Sequence, residues 1–182
     1  MRYFATVVLL AFLATLLMGI LLIPWLRKLR IGQTEREDGP KSHLSKTGTP
    51  IMGGILFLIP LIGISLILPK GNRDFVLAAV LSTAGFGLIG FLDDYIKAVK
   101  KRSLGLHAYQ KIIGQLVLSV ALAYFAYTNE YIGSRLIIPF TGAEWDPGVF
   151  YIPIAVFIIV GTVNSVNLTD GVDGLCSGVT LI

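Results

Sequence analysis

The chain has 182 residues, of which 54% are hydrophobic and only 14% charged, with a formal net charge of +4 and one cysteine. Its mean hydropathy is +0.77. A soluble domain carries roughly 25% charged residues, so the composition excludes an ordinary soluble globule, and a lone Cys176 excludes an intrachain disulfide and a cysteine-rich metal site.

A helix needs about 20 apolar residues to cross a hydrocarbon layer about 30 Å thick. In chain order the candidates are residues 3–26, 51–69, 75–92, 112–128 and 149–166, none of which contains an acidic side chain. Pro24, Pro60, Pro69 and Pro153 interrupt them, as prolines do in spans, usually as a kink or near an end. The first segment is longer than the roughly 7–15 apolar residues of a secretory signal and reads as a retained helix. After Gly174 the sequence LCSGVTLI has the character of a further span but is too short to cross. The expectation is an all-α, polytopic transmembrane helix bundle of five spans plus the start of a sixth. It forms one integral membrane domain over residues 1–182 and reads as a fragment of a longer protein.

Orientation follows from lysine and arginine. The loop at 27–50 and the segment from Lys97 to Lys111 hold every basic residue except Arg2, Lys70, Arg73 and Arg135. The positive-inside rule therefore puts those two loops in the cytoplasm and the amino terminus outside. The basic excess lies in loops flanking spans, without interleaved aromatics, so it signals topology and no nucleic-acid partner.

Against that topology the acids stand out. Asp93, Asp94, Asp170 and Asp173 all fall where the third and fifth spans meet the cytoplasm, and a carboxylate beside hydrocarbon tends to mark a functional site. An acid at a helix carboxyl end opposes the macrodipole, so mere solvation is a poor explanation for Asp93 and Asp94. Lys97, one turn beyond Asp93, compensates their charge at i,i+4 spacing if the helix continues. Adjacent side chains on a helix diverge by about 100°, so one aspartate is expected to bind a cation while the other handles a proton. Mg²⁺, which prefers carboxylate and phosphate oxygens, would make this a phosphoryl-transfer site.

The run GTVNSVNLTDGVDGL repeats Asn164, Asn167, Asp170 and Asp173 at every third residue. Gly171 and Gly174 let the chain leave helical geometry there, so an unwound end can gather amides and acids around a polar ligand. Hydrogen bonding inside the bundle is the competing reading for Asn164. A third stretch, GPKSHLSKTGTPIMGGI, is a turn-rich loop with Lys41, His43 and Lys46, suited to an anion but matching no phosphate-loop consensus. His43 and His107 lack partners at metal-ligand spacing.

Together PKSHLSKTGTPIMGG, FLDDYIKAVKKRSLGL and NSVNLTDGVDGL resemble the polyprenyl-phosphate N-acetylhexosamine-1-phosphate transferases. The lysine-serine-histidine loop is similar to the branch that transfers phospho-N-acetylmuramoyl-pentapeptide rather than N-acetylglucosamine phosphate. The resemblance covers the whole chain but only about the first half of that family's ten-helix architecture. At Ile51 the family more often has threonine or serine.

This resemblance implies a bacterial inner-membrane enzyme that moves phospho-N-acetylmuramoyl-pentapeptide from UDP-MurNAc-pentapeptide to undecaprenyl phosphate. The products would be lipid I and UMP, the cofactor Mg²⁺, the surroundings membrane lipid, and a homodimer is compatible with it. Asp93 and Asp94 would hold the metal, with one accepting the proton of the lipid phosphate, and Lys97 and Lys111 would hold phosphate groups. Lys46, Asn167, Asp170 and Asp173 would line the nucleoside pocket, and Asn164 would join the substrate-binding residues. A related N-acetylhexosamine transferase and a transporter are the alternatives, although a transporter would usually place its acids near the bilayer midplane. A non-catalytic scaffold would leave the acids unexplained.

Overall fold

The computed structural model describes residues 2–28, 52–69, 71–100, 105–170 and 175–181. It is helical almost throughout: α1 Arg2–Lys28, α2 Ile55–Ile67, α3 Arg73–Lys100, α4 Ala108–Thr128, α5 Tyr151–Thr169 and α6 Leu175–Leu181, with a short hairpin, β1 Leu136–Ile137 and β2 Glu144–Trp145, between α4 and α5. The architecture is the all-α membrane bundle that the hydropathy predicts. Among the described residues four helices, α1, α3, α4 and α5 with its preceding 3₁₀ turn, are long and apolar enough to cross a bilayer.

The second expected span is shorter than the apolar run. α2 has 13 residues, which is about 20 Å of helix, less than a hydrocarbon layer. Its boundaries have local causes. Met52 adopts a left-handed φ of 70° and Gly53–Gly54 form a turn, so the helix starts only at Ile55. At the other end Leu68 precedes Pro69 and sits at φ −117°, ψ 52°, because the proline ring disfavours helical geometry in the residue before it. The last helix, α6, has seven residues.

The contacts group into two compact units, Met1–Lys111 and Ile112–Ile182. In the first, α2 packs against both α1 and α3. The α2–α3 approach is close: a Cβ at Gly87 would stand 2.7 Å from Leu58 Cδ1. The Tyr3 hydroxyl donates to the Leu68 carbonyl, covering a group left without a helical partner at the end of α2. α1 ends on Arg27 and Lys28, cations that favour the negative end of the helix dipole.

In the second unit the rings of Tyr127 and Tyr151 lie 6.4 Å apart and join the end of α4 to the start of α5. Pro153 falls in the first turn of α5, where a missing N–H removes no helical bond. Burial runs opposite to a soluble protein. Leu, Ile and Phe side chains are exposed along every long helix, whereas Asp93, Gln115 and Ser119 are buried. Apolar side chains face outward along helices long enough to cross a membrane, and these three polar groups turn inward.

Candidate phosphate-transfer site at the end of α3

α3 has 28 residues and is about 42 Å long, so it outruns a hydrocarbon layer of about 30 Å. Its apolar run stops at Leu92, and the last two turns carry Asp93, Asp94, Lys97 and Lys100 beyond it. Asp93 is 6% exposed. Its Oδ2 lies 2.7 Å from Lys97 Nζ, one turn on, where the i,i+4 spacing places it. Its Oδ1 lies 2.8 Å from Lys111 Nζ and accepts the Leu106 amide N–H at 2.8 Å.

Leu106 and Lys111 reach Asp93 because the chain turns sharply through Gly105. A Cβ there would stand 2.3 Å from Asp93 Oδ1 and 2.5 Å from its carbonyl oxygen, so only glycine fits. α4 then starts with half a capping box, the His107 N–H donating to Gln110 Oε1 at 3.0 Å. The Asp93 carboxylate sits at this amino-terminal end, where the helix dipole favours an anion.

Asp94 is more open. Its Oδ1 lies 3.2 Å from Lys97 Nζ, so one ammonium bridges both aspartates. Its Oδ2 accepts the Met52 N–H at 3.2 Å, linking the entrance of α2 to α3. Burial works against ionisation of Asp93, yet the Lys111 and Lys97 ammonium groups and the Leu106 amide outweigh it and hold the carboxyl below the usual carboxylate range. Burial likewise opposes the charge on Lys97, but the two aspartates overcome it and hold the ammonium above the usual lysine range. Two aspartates and two lysines therefore meet where the apolar run of α3 ends.

Among the described residues no three His, Cys, Asp or Glu side chains converge. That does not disqualify Mg²⁺, which typically takes one or two protein carboxylates, with substrate phosphates and water completing its shell. The donor chemistry fits, with Asp94 the readier ligand, since Asp93 already accepts two ammonium groups and an amide.

The other sequence candidates are less gathered. Asn164 donates to Gln115 Oε1 at 2.7 Å and to the Val160 carbonyl at 2.8 Å, which uses both its amide hydrogens. Only its oxygen is left for a ligand. Asn167 and Asp170 are exposed at the end of α5. Lys46 and Asp173, like Lys41 and His43, lie outside the described residues. The sequence reading missed Gln115, Gly105 and the amides of Leu106 and Met52. Gln115 had a signal, being the one carboxamide in an otherwise apolar span; the backbone donors had none.

The described helices are those of a multi-pass membrane protein with a carboxylate and lysine cluster at the end of one span. Comparison with known proteins sharpens that class. Residues 76–182 match glycosyl transferase family 4. The chain is 53% identical over 174 residues to the phospho-N-acetylmuramoyl-pentapeptide-transferase of Clostridioides difficile (strain 630), covering 96% of this chain and 54% of that protein. It is 53% identical over 178 residues to the enzyme of the same name from Thermoanaerobacter sp. (strain X514), covering 98% of this chain and 55% of the relative. A third, from Desulfitobacterium hafniense (strain DSM 10664 / DCB-2), is 51% identical over 175 residues. The chain belongs to glycosyl transferase family 4, and it spans about half the length of the curated relatives it matches.

Proposed function

We propose that this chain is the amino-terminal part of an enzyme that transfers phospho-N-acetylmuramoyl-pentapeptide from UDP-MurNAc-pentapeptide to undecaprenyl phosphate, giving lipid I and UMP for peptidoglycan synthesis. The observation that carries the reading is the pairing of Asp93 with Lys97 and Lys111 at the end of a membrane span. A lipid phosphate arrives there from the bilayer and a soluble nucleotide from the water. The names of the relatives supply the substrates.

Each residue has a task in this scheme. Lys111 stands in the first turn of α4, where a cation opposes the helix dipole. It tolerates that position because Asp93 neutralises it, and it presents N–H donors to an incoming phosphate oxygen. Lys97 holds the two aspartates apart from each other's charge and gives a second phosphate contact. Asp94, with the more open carboxylate, takes the proton of the lipid phosphate or faces the metal. Mg²⁺ bound there would neutralise charge developing on the departing UMP. Asn167, Asp170, Asp173 and Lys46 are assigned to the nucleotide on their motifs alone.

In the same reading the site faces the cytoplasm of a bacterial inner membrane with the amino terminus outside, supported by the basic loops at 27–50 and 97–111. The test is full-length protein supplied with labelled UDP-MurNAc-pentapeptide and undecaprenyl phosphate. Mg²⁺-dependent UMP release that requires the lipid is expected. No release, or release only with UDP-N-acetylglucosamine as donor, would overturn the assignment.

A further inference from the structure

The connection between α4 and α5 is not a plain polar loop. β1 and β2 pair antiparallel with Leu136 opposite Trp145 and Ile137 opposite Glu144. Residues directly opposed share a face, and so do residues two apart on a strand. One face of the hairpin therefore carries Leu136, Ile138 and Trp145. The other carries Arg135 and Glu144, whose side chains lie 3.5 Å apart, and the exposed Ile137 directly opposite Glu144.

The tip is stranger. Phe140 is 108% exposed and has a left-handed φ of 70°. Glycine or asparagine would fit that backbone at less strain, and in water nothing would favour a bare phenyl ring there. Such a residue gains by contact with something outside its own chain.

We propose that this hairpin is an interfacial anchor, with Phe140 and the Leu136, Ile138, Trp145 face seated at the headgroup and acyl boundary of the leaflet where α4 ends and α5 begins. The reach is right. Tyr127 and Tyr151 close the root of the connection at the ends of two membrane helices, and the five residue steps from Arg135 to Phe140 extend at most about 17 Å. The surface is continuous as well: the exposed Val149 and Phe150 lead from the hairpin into α5, a helix long and apolar enough to cross a membrane, whose Phe157 is 80% exposed. Aromatic rings are enriched at membrane interfaces, and the indole N–H of Trp145 finds polar partners there while its rings contact chains. The Arg135–Glu144 ion pair stays in water, at the edge of the anchor. This anchoring is independent of the chemistry at Asp93 and Asp94.

The test places a fluorescent reporter at the tip. Full-length protein carrying Phe140→Trp, with every other tryptophan including Trp25 and Trp145 replaced by phenylalanine, is reconstituted in phosphatidylcholine and phosphatidylglycerol vesicles. Emission should shift to shorter wavelength than in free indole and be quenched by lipids brominated near the glycerol more than by lipids brominated at the chain end, while aqueous iodide has little effect. A second protein keeps Phe140 and has Trp145 alone; there Phe140→Gly should move the Trp145 emission to longer wavelength and open it to iodide. Emission quenched by iodide and not by brominated lipid would overturn the anchor. So would short-wavelength emission insensitive to both quenchers, which would mean that protein, not lipid, covers the hairpin.

Discussion

Lys111 Nζ lies 2.8 Å from Asp93 Oδ1, and this ion pair fastens the end of α3 to the first turn of α4. The partners are 18 positions apart in sequence, so the contact exists only if the turn through Gly105 is in place. A double-mutant cycle with Asp93→Asn and Lys111→Gln, read as unfolding free energy of the full-length protein, should give a coupling of about 1.5–3 kcal/mol, the range for a hydrogen bond to a charged group. Additive effects within about 0.5 kcal/mol would mean that the pair does not hold the two helices together.

Gly105→Ala probes the same joint through its backbone. The new Cβ would fall 2.3 Å from Asp93 Oδ1 and 2.5 Å from the Asp93 carbonyl, and the carbonyl belongs to a helix that cannot give way cheaply. Overpacking of this kind typically costs about 1–3 kcal/mol. A lower melting temperature together with loss of turnover is expected. Wild-type melting and turnover in Gly105→Ala would show that the turn is not as tight as its geometry.

Asn164 separates a packing role from a substrate role. Its carboxamide already bonds Gln115 and Val160, and such bonds between membrane helices average about 0.6 kcal/mol. Asn164→Leu should lower stability by about that amount and leave the KM for the nucleotide near wild type. A raised KM with unchanged stability would instead make it a nucleotide ligand through its remaining oxygen.

The spans were legible from the sequence because apolar residues run unbroken for the length that a bilayer demands. Lys97 was legible too, since i,i+4 spacing on a continuing helix fixes where its ammonium can go. What hydropathy hid was the shortness of α2, which depends on the backbone of Met52 to Gly54 and on Pro69, residues that score as apolar or neutral. Lys111 as the second partner of Asp93 was hidden for another reason. The contact is made by a turn, and nothing in the spacing of 93 and 111 says how a loop folds back. The hairpin at 136–145 escaped because two-residue strands carry no periodicity.

Asp146 yields a pH prediction outside the spans. The Ser134 hydroxyl, at 2.6 Å, and the Gly148 amide hold its carboxyl below the usual carboxylate range. A depressed folded value means that this contribution to the loop is complete above the unfolded carboxylate value of about 3.9 and fades as pH falls through the folded one. Ser134→Ala should move the Asp146 titration upward toward the ordinary value, as followed by the Gly148 amide shift. A titration unchanged by the substitution would remove Ser134 as its cause.

The most direct test of the central claim is UMP release by full-length protein carrying Asp94→Asn, measured with saturating Mg²⁺, labelled UDP-MurNAc-pentapeptide and undecaprenyl phosphate. If the carboxylates at the end of α3 carry the transfer, turnover falls by about 100-fold or more while the protein keeps its wild-type melting temperature. Turnover within a few-fold of wild type in a folded Asp94→Asn protein would contradict the assignment of the site.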